Sequence, residues 1–160
     1  TITRVSNRSL SDMLAAGELA AAIGVEATSP DVKPLIPNAL EAGLAALRGR
    51  GHYPINHLVV IKDEMIARHP DLAADVFDAF ATAKRHYLER LKAGAIEKPT
   101  EVDEMHRRVM AISGDPLPYG IAPNRKVIEE LIGHALTQGI ITQPVTADQL
   151  FAPSTRGLVA

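Results

Sequence analysis

The sequence predicts an α/β protein that is rich in helix. Its 160 residues contain about six segments with helix-capping or helical apolar patterns and three short segments that predict strands. Helices rather than tight turns separate the predicted strands, which is typical of crossover connections in a parallel sheet. Three short strands are too few for such a sheet. We therefore expect further strands from a part of the protein that precedes Thr1.

The first predicted elements are a strand, a helix and a second strand. Residues 2–5 predict the first strand. Ser9, with Asp12 three positions later, has the pattern of a helix N-cap, and Gly17 can end this helix. Residues 19–24 lie between that helix end and Gly24, which favours a short buried strand over another helix.

A loop and a second helix follow. Residues 25–37 contain three prolines and predict an irregular loop. Asn38 and Glu41 form a capping pair that predicts a helix start, and Gly49 and Gly51 predict its end.

The centre of the chain predicts a buried strand and the longest helix. Residues 58–62 begin with an apolar, β-branched run and predict the third strand. Asp63 predicts a single helical turn that ends near His69, and Pro70 suits the first position of a helix that continues to about Lys92. Three aromatic residues on the apolar stripe of this helix are predicted to belong to the core rather than to a ligand site: Phe77, Phe80 and Tyr87.

Three further helices complete the prediction. Thr100 with Asp103 predicts the start of one helix, with Val102, Met105, Val109 and Ile112 facing inward. Residues 125–138 predict the next, ended by Gly139. A short helix at residues 147–151 is introduced by the capping pair Thr146 and Gln149.

Composition excludes several functions. The net charge of −2 and the pI near 6.3 give no basis for a nucleic-acid surface, and the densest basic patch, around Lys84, is predicted to lie on an exposed helix face. No apolar run is long enough for a membrane span, and the absence of cysteine removes disulfides and cysteine nucleophiles. His52 and His57 point to opposite faces of an extended chain, so we predict no metal site. The composition leaves open whether the protein forms a homo-oligomer.

The first segment that suits a binding site covers residues 52–57. Pro54 holds the chain extended ahead of the predicted strand, and Asn56 and His57 bring an amide and an imidazole to its start. A histidine here can act as an acid, a base or an anion-binding donor. It can equally bond a neighbouring backbone carbonyl, and the residues alone do not separate these interpretations.

The second such segment covers residues 114–126. Three prolines and two glycines predict an ordered loop, in which Tyr119 offers an aromatic face and a hydroxyl group. Asn124 is predicted to cap the helix that begins at Arg125. A cation in the first helical turn opposes the helix dipole, and a bound carboxylate would compensate. A solvated guanidinium is the alternative, and both interpretations stay open.

Several motifs resemble one enzyme family. They comprise residues 9–19, 53–61 and 69–72 and, most specifically, residues 114–125 and 148–154. Together they resemble the 4,5-dihydroxyphthalate decarboxylase family, which is itself similar to type II periplasmic binding proteins. The ending at 148–154 is absent from the broader binding proteins and favours the decarboxylases. Leu117 and Ala20 depart from the family, which usually has tryptophan and aspartate at these positions, so the substrate can differ from the namesake.

The resemblance implies a two-lobed, periplasmic-binding-protein-like fold of which this chain covers the C-terminal half. Residues 1–50 would end the second lobe, residues 51–57 would form the crossover or hinge, and residues 58–160 would return into the first lobe. Ligand would bind between the lobes.

The implied function is the cofactor-independent decarboxylation of a hydroxylated aromatic acid, similar to 4,5-dihydroxyphthalate, in aromatic catabolism. His57 and Arg125 are the expected catalytic residues, with Arg125 as the carboxylate anchor. The expected substrate-binding residues are Pro54, Asn56, Tyr119 and Asn124. We expect a small aromatic carboxylate as the partner and a cytoplasmic location.

Two other functions stay open. A solute-binding protein of an ABC-type transporter would use the same cleft for a small organic anion without chemistry, and it would be periplasmic. An interaction fragment without a ligand of its own would instead dimerise through exposed apolar helix faces.

Overall fold

The structure of the chain is a computed structural model that describes residues 7–26, 29–55 and 57–160. These residues form six α-helices and two short 3-10 helices, and they form no strand. The chain divides into two compact units, Thr1–Ala42 and Gly43–Ala160. The helices are α1 (Leu10–Ala15), α2 (Ala39–Arg50), α3 (Asp63–Arg68), α4 (Leu72–Lys92), α5 (Glu101–Ser113) and α6 (Ile121–Thr137), followed by the 3-10 helices Ala147–Leu150 and Pro153–Thr155. The prediction of a helix-rich chain is confirmed.

Helix α1 belongs to the first unit and begins where its cap predicts. Ser9 has the extended backbone of an N-cap, and its hydroxyl oxygen accepts a hydrogen bond from the Asp12 N–H at 3.0 Å. Gly17 follows the helix with a φ of +72°, which a residue with a side chain adopts at a cost. Both predicted signals are therefore confirmed.

The predicted strands are not formed in the part of the chain that the structure describes. Residues 19–24 are irregular and Ile23 is 98% exposed, so this segment has no apolar layer against which to pack. Residues 58–62 are also outside any regular element, and Leu58, Val59 and Val60 are exposed. A strand needs a neighbour for its backbone N–H and C=O groups, and neither segment has one among the described residues. The strand predicted at residues 2–5 lies outside the described residues.

Helices α3 and α4 follow the prediction with one shift. Helix α3 begins at Asp63 and ends at Arg68, as expected for a short turn before His69. Helix α4 begins at Leu72, two residues after Pro70. Pro70 lies instead in a separate turn, which the Leu72 N–H closes by donating a hydrogen bond to the His69 carbonyl. The second 3-10 helix packs against α4, as do α3 and α5.

Helix α5 begins with the predicted capping box. The Thr100 hydroxyl accepts a hydrogen bond from the Asp103 N–H, and the Asp103 carboxylate accepts one from the Thr100 N–H at 2.7 Å. On the inward face Val109 is buried, and Met105 and Ile112 pack partly buried. Val102 was expected there too, but it is 55% exposed because it lies in the first turn, outside the packed stripe.

Helix α6 begins four residues earlier than predicted. Gly120 precedes it, and Ile121 is its first residue. Asn124 is therefore inside the helix and is not its N-cap. Its buried side-chain amide donates hydrogen bonds to the carbonyls of Pro118 and Gly120, at 2.7 and 2.8 Å. Asn124 thus attaches the proline-rich loop to the helix that follows it.

Two apolar clusters form the core of the second unit. The first joins Leu44 and Leu47 of α2 to Val109 of α5. The second joins Ile121 and Ile128 of α6 to Ala147 of the first 3-10 helix. Tyr53 packs against the first cluster and Ile55 against the second, so the segment between α2 and α3 contacts both.

Candidate functional site

A cavity of about 1020 Å³ lies within the second unit. Its walls come from residues 53–55 and 57–61, from α3, from the first half of α4, from the loop at residues 116–120, from the start of α6 and from the C-terminal segment, which we define as residues 147–156. Most lining residues are apolar, and a few polar side chains are set among them: Tyr53, His57, Asp63, Tyr119, Asn124, Gln149, Thr155 and Arg156. An apolar cavity with a few polar groups is the usual form of a small-molecule site.

Four of the six predicted site residues line this cavity: Pro54, His57, Tyr119 and Asn124. His57 and Tyr119 come from the two proline-containing segments that the sequence singles out, and the fold brings both to the same space. Asn56 lies outside the described residues. Arg125 is not among the described residues that line the cavity.

Tyr119 is held by contacts on several sides. Its ring packs edge-on against Phe77, with centroids 6.5 Å apart. The Lys84 Nζ lies 5.2 Å from the ring centroid. Its backbone N–H donates to the Ala160 carbonyl at 2.9 Å, and its carbonyl accepts from the Ala160 N–H at 3.3 Å. The aromatic face that the cavity presents is therefore fixed in place.

The loop that carries Tyr119 is attached to α4 by an ion pair. The Lys84 Nζ lies 2.6 Å from the Asp115 carboxylate, whose other oxygen accepts a hydrogen bond from the Leu117 N–H at 2.9 Å. The Tyr53 hydroxyl donates to the Pro116 carbonyl at 2.8 Å, and burial, with a smaller contribution from the Asp115 charge, raises the pKa of Tyr53. The stiffness predicted from the prolines is thus reinforced by polar contacts that the sequence did not indicate.

The interpretation of Lys84 as part of an exposed basic patch is wrong. Its side chain is only 6% exposed, because it lies on the buried face of α4. The signal was present in the sequence: Lys84 is seven residues from Phe77 and seven from Leu91, so the three share one helix face.

Arg125 is engaged by carboxylates of its own chain. Its two Nη atoms donate to the two Asp148 carboxylate oxygens at 3.1 and 3.2 Å, and Glu129 lies 3.6 Å away. The hydrogen bond with Asp148 is the main reason that the pKa of Arg125 is raised, and the same bond lowers the pKa of Asp148. Because α6 begins at Ile121, Arg125 lies in its second turn and does not share a ligand with the free N–H groups of the helix start.

The interpretation of Phe80 as a core residue is also wrong, whereas Phe77 is partly buried and packs against Tyr119. Both line the cavity, and Phe80 is 48% exposed. Arg156 is a further lining residue that sequence reasoning missed. An apolar stripe predicts that a helix face is shielded from water, but it does not show whether other side chains or a ligand shield it.

A second polar cluster joins α4 to α5 away from the cavity lining. The Tyr87 hydroxyl donates to the Asp103 carboxylate at 2.7 Å and lies 2.8 Å from His106 Nδ1. Since the single hydroxyl proton goes to the carboxylate, Nδ1 of His106 must carry a proton and donate to Tyr87. Burial and the Asp103 bond raise the pKa of Tyr87 to about 12, while hydrogen bonds from Thr100 and Tyr87 lower that of Asp103 to about 2. Burial lowers the pKa of His106.

Two further observations concern the described residues as a whole. No three histidine, aspartate or glutamate side chains among them come together in a way that could hold a metal ion. None of their helices combines the length and the apolar character that crossing a membrane requires.

The chain is similar in sequence to a protein that is named as a decarboxylase. The chain is 26% identical over 156 residues to a protein named 4,5-dihydroxyphthalate decarboxylase from Comamonas testosteroni. The match covers 92% of this chain but 47% of the relative, so the chain spans about half the length of the protein that it matches. No family profile matches the chain, and no solved structure matches it. The similarity shows relatedness to a protein named as a decarboxylase of an aromatic acid.

Proposed function

We propose that this chain carries the ligand cavity of a cofactor-independent decarboxylase that acts on a hydroxylated aromatic carboxylic acid, similar to 4,5-dihydroxyphthalate. One observation carries the proposal. His57 and Tyr119, which are far apart in the sequence, line a single and mostly apolar cavity in a chain related to a protein named 4,5-dihydroxyphthalate decarboxylase. The apolar walls suit an aromatic ring, and the imidazole and phenol suit the polar groups on it.

The reaction requires a proton for the ring carbon and an environment that favours neutral carbon dioxide over the charged carboxylate. His57, in its imidazolium form, would donate its proton to the carbon that bears the leaving carboxylate. The carbon–carbon bond then breaks, its electron pair returns to the ring, and carbon dioxide leaves as a neutral molecule. The apolar side chains of Phe77 and Phe80 would withhold water from the leaving carboxylate, which destabilises its charged form relative to the neutral product.

The other residues would position the substrate. Tyr119 would contact the ring through its aromatic face and a ring hydroxyl through its own hydroxyl group. Asn56 remains a predicted positioning residue. Asn124 already bonds two loop carbonyls, so its contribution would be to hold the loop. Arg125, predicted as the carboxylate anchor, would have to release Asp148 to bind a substrate carboxylate.

We also propose that the chain is part of a two-lobed fold like that of type II periplasmic binding proteins, with residues 51–57 as the hinge. Two observations support this. The relative is about twice as long as the part that matches, and the apolar residues Leu58, Val59 and Val60 are exposed in this chain although their sequence is typical of a buried strand.

The proposal is tested by replacing His57 with asparagine in the intact protein. A panel of hydroxybenzoates and hydroxyphthalates is supplied, and carbon dioxide release is followed. We expect turnover of at least one hydroxylated acid and a fall of about 10²- to 10⁴-fold in kcat for H57N, the usual contribution of a general acid. The matched control is H86N, because His86 is an exposed histidine of α4 outside the cavity.

Two outcomes contradict parts of this proposal. Unchanged turnover in H57N would remove His57 from the mechanism. Tight binding of an acid from the panel, with no carbon dioxide release, would replace the decarboxylase by the solute-binding protein as the function of this cavity.

A further inference from the structure

The C-terminal segment, residues 147–156, forms one wall of the cavity. Residues 148–154 are one of the two motifs most specific to the decarboxylase resemblance, yet none of the expected site residues lies in them. In the structure the Thr146 and Gln149 capping box fixes the start of the segment, and the second 3-10 helix packs against α4. Six of its residues from Gln149 to Thr155 line the cavity, and the wall ends at Arg156, which lines it too.

Arg156 is oriented through one edge of its guanidinium group. Its Nε donates a hydrogen bond to the Phe151 carbonyl at 3.2 Å, and its backbone N–H bonds the Pro153 carbonyl at 3.4 Å. Its Nη atoms have no hydrogen-bond partner among the described residues. The group is therefore held at a cavity wall with the donors that bind a carboxylate in a bidentate manner still available.

Arg125 and Arg156 differ in whether their guanidinium groups are available to a ligand in the cavity. Both Nη atoms of Arg125 are committed to Asp148, and Arg125 is not among the described lining residues. Arg156 is the one lysine or arginine among the described residues that line the cavity. The side-chain hydrogen bonds of Asp148 come from Arg125 and are the main cause of its lowered pKa, to which the charge of Arg156 contributes a smaller part. Asp63 is the one carboxylate among the described residues that line the cavity.

We propose that Arg156, rather than Arg125, binds a carboxylate of the aromatic acid in this cavity. The inference rests on the proposed function for the class of ligand. A cation that held the leaving carboxylate would stabilise the ground state and oppose its departure, so Arg156 binds a carboxylate that the product retains. The ligand is then an aromatic acid with at least two carboxylates.

The test compares phthalate with its neutral diamide as ligands of the intact protein, by titration calorimetry. The wild-type protein is expected to prefer phthalate. The R156Q variant should lose about 10- to 100-fold in phthalate affinity, the size of a charge-assisted hydrogen-bonded pair, and should leave diamide binding unchanged. R156K should restore part of the preference. The matched control is R85Q, at an exposed arginine of α4 that is not among the described lining residues, and it should keep the preference; R125Q tests the rival anchor. Far-UV circular dichroism checks that each variant is folded.

The outcomes separate this inference from the proposed function. If R156Q keeps the preference for phthalate, or if the wild-type protein shows none, Arg156 is not the anchor. If R125Q alone loses the preference, the anchor is Arg125. Carbon dioxide release from hydroxylated dicarboxylates is measured in parallel. A preference that depends on Arg156 in a protein without turnover would uphold the anchor and refute the decarboxylase.

Discussion

The ion pair between Lys84 and Asp115 can be broken from either side, and the two changes should differ in cost. The Lys84 side chain is 6% exposed, whereas that of Asp115 is 38% exposed. D115N leaves an ammonium group in a nearly dry environment, with the Tyr119 ring as its remaining charge-stabilising neighbour. K84M leaves a carboxylate that water can reach and fills the vacated volume with an apolar chain. D115N should therefore destabilise the protein more.

The expected magnitudes follow from this exposure. Removing one partner of a fully buried pair costs about 3–5 kcal/mol, and exposed pairs contribute about 0.2–1 kcal/mol. K84M should lower the free energy of unfolding by about 1–2 kcal/mol, because solvent screens the carboxylate that remains. D115N should lower it by about 2–4 kcal/mol, reduced from the buried value because the asparagine oxygen can still accept a hydrogen bond. The double variant should be more stable than D115N, because it leaves no charge stranded.

The assay is urea unfolding of the intact protein at pH 7, followed by far-UV circular dichroism. K92M is the control, because Lys92 is exposed in the last turn of α4, and it should stay within about 0.5 kcal/mol of wild type. If K84M lowers the free energy of unfolding as much as D115N does, or if both lower it no more than K92M does, the loop is not held by a buried cation.

Two further predictions concern a close backbone approach and a pH dependence. G120A should cost about 2–4 kcal/mol in thermal unfolding, since Gly120 has a φ of +104° and an added Cβ would overlap the Leu158 carbonyl oxygen. The control G94A, with a φ of +65° but open space around it, should cost about 1 kcal/mol, and equal costs would contradict the overlap. Y87F should be less stable than wild type at pH 7, because the carboxylate of Asp103 loses a donor. Asp103 has a pKa of about 2 in the folded protein, against an ordinary value of 3.8. Between these two pH values the unfolded state therefore binds more protons than the folded state. The stability that the Asp103 carboxylate contributes is present above pH 3.8 and is lost as the pH falls toward 2. The difference between Y87F and wild type should therefore narrow over that range in acid unfolding curves, and a constant difference would contradict this account.

Helix starts were predictable where the signal is local. The cap at Ser9 and the boxes at Thr100 and Thr146 each depend on a side chain that bonds a backbone group three residues away, so the sequence contains the whole interaction. The start of α6 was missed because Asn124 suits an N-cap by type. Its amide instead bonds the carbonyls of a loop whose path the sequence does not reveal.

Strands were not predictable in this way, since their backbone partners lie elsewhere. Residues 58–61 have an apolar, β-branched composition, but composition describes what a strand requires and does not supply its neighbour. The same limit applies to the face of α4. Its apolar stripe was evident, but whether Phe80 meets another side chain or a cavity depends on packing from distant segments.

The candidate site was predictable in the part that depends on stiff segments. Proline and glycine fix local backbone geometry, and His57 and Tyr119, each within such a segment, line one cavity. The charged residues were less predictable. Arg125 and Arg156 look alike in the sequence, and only the position of Asp148 distinguishes a guanidinium that is already paired from one that is available.

The pair of backbone hydrogen bonds between Tyr119 and Ala160 also constrains the order in which the protein folds. As the polypeptide emerges from the ribosome, Tyr119 acquires these two partners only after every residue up to Ala160 has been added. Until then the ribosome-bound nascent chain can form its earlier helices, but it lacks the two backbone hydrogen bonds that hold Tyr119 at the cavity wall. The cavity should consequently acquire its final form only once Ala160 has been added, rather than gradually with chain length.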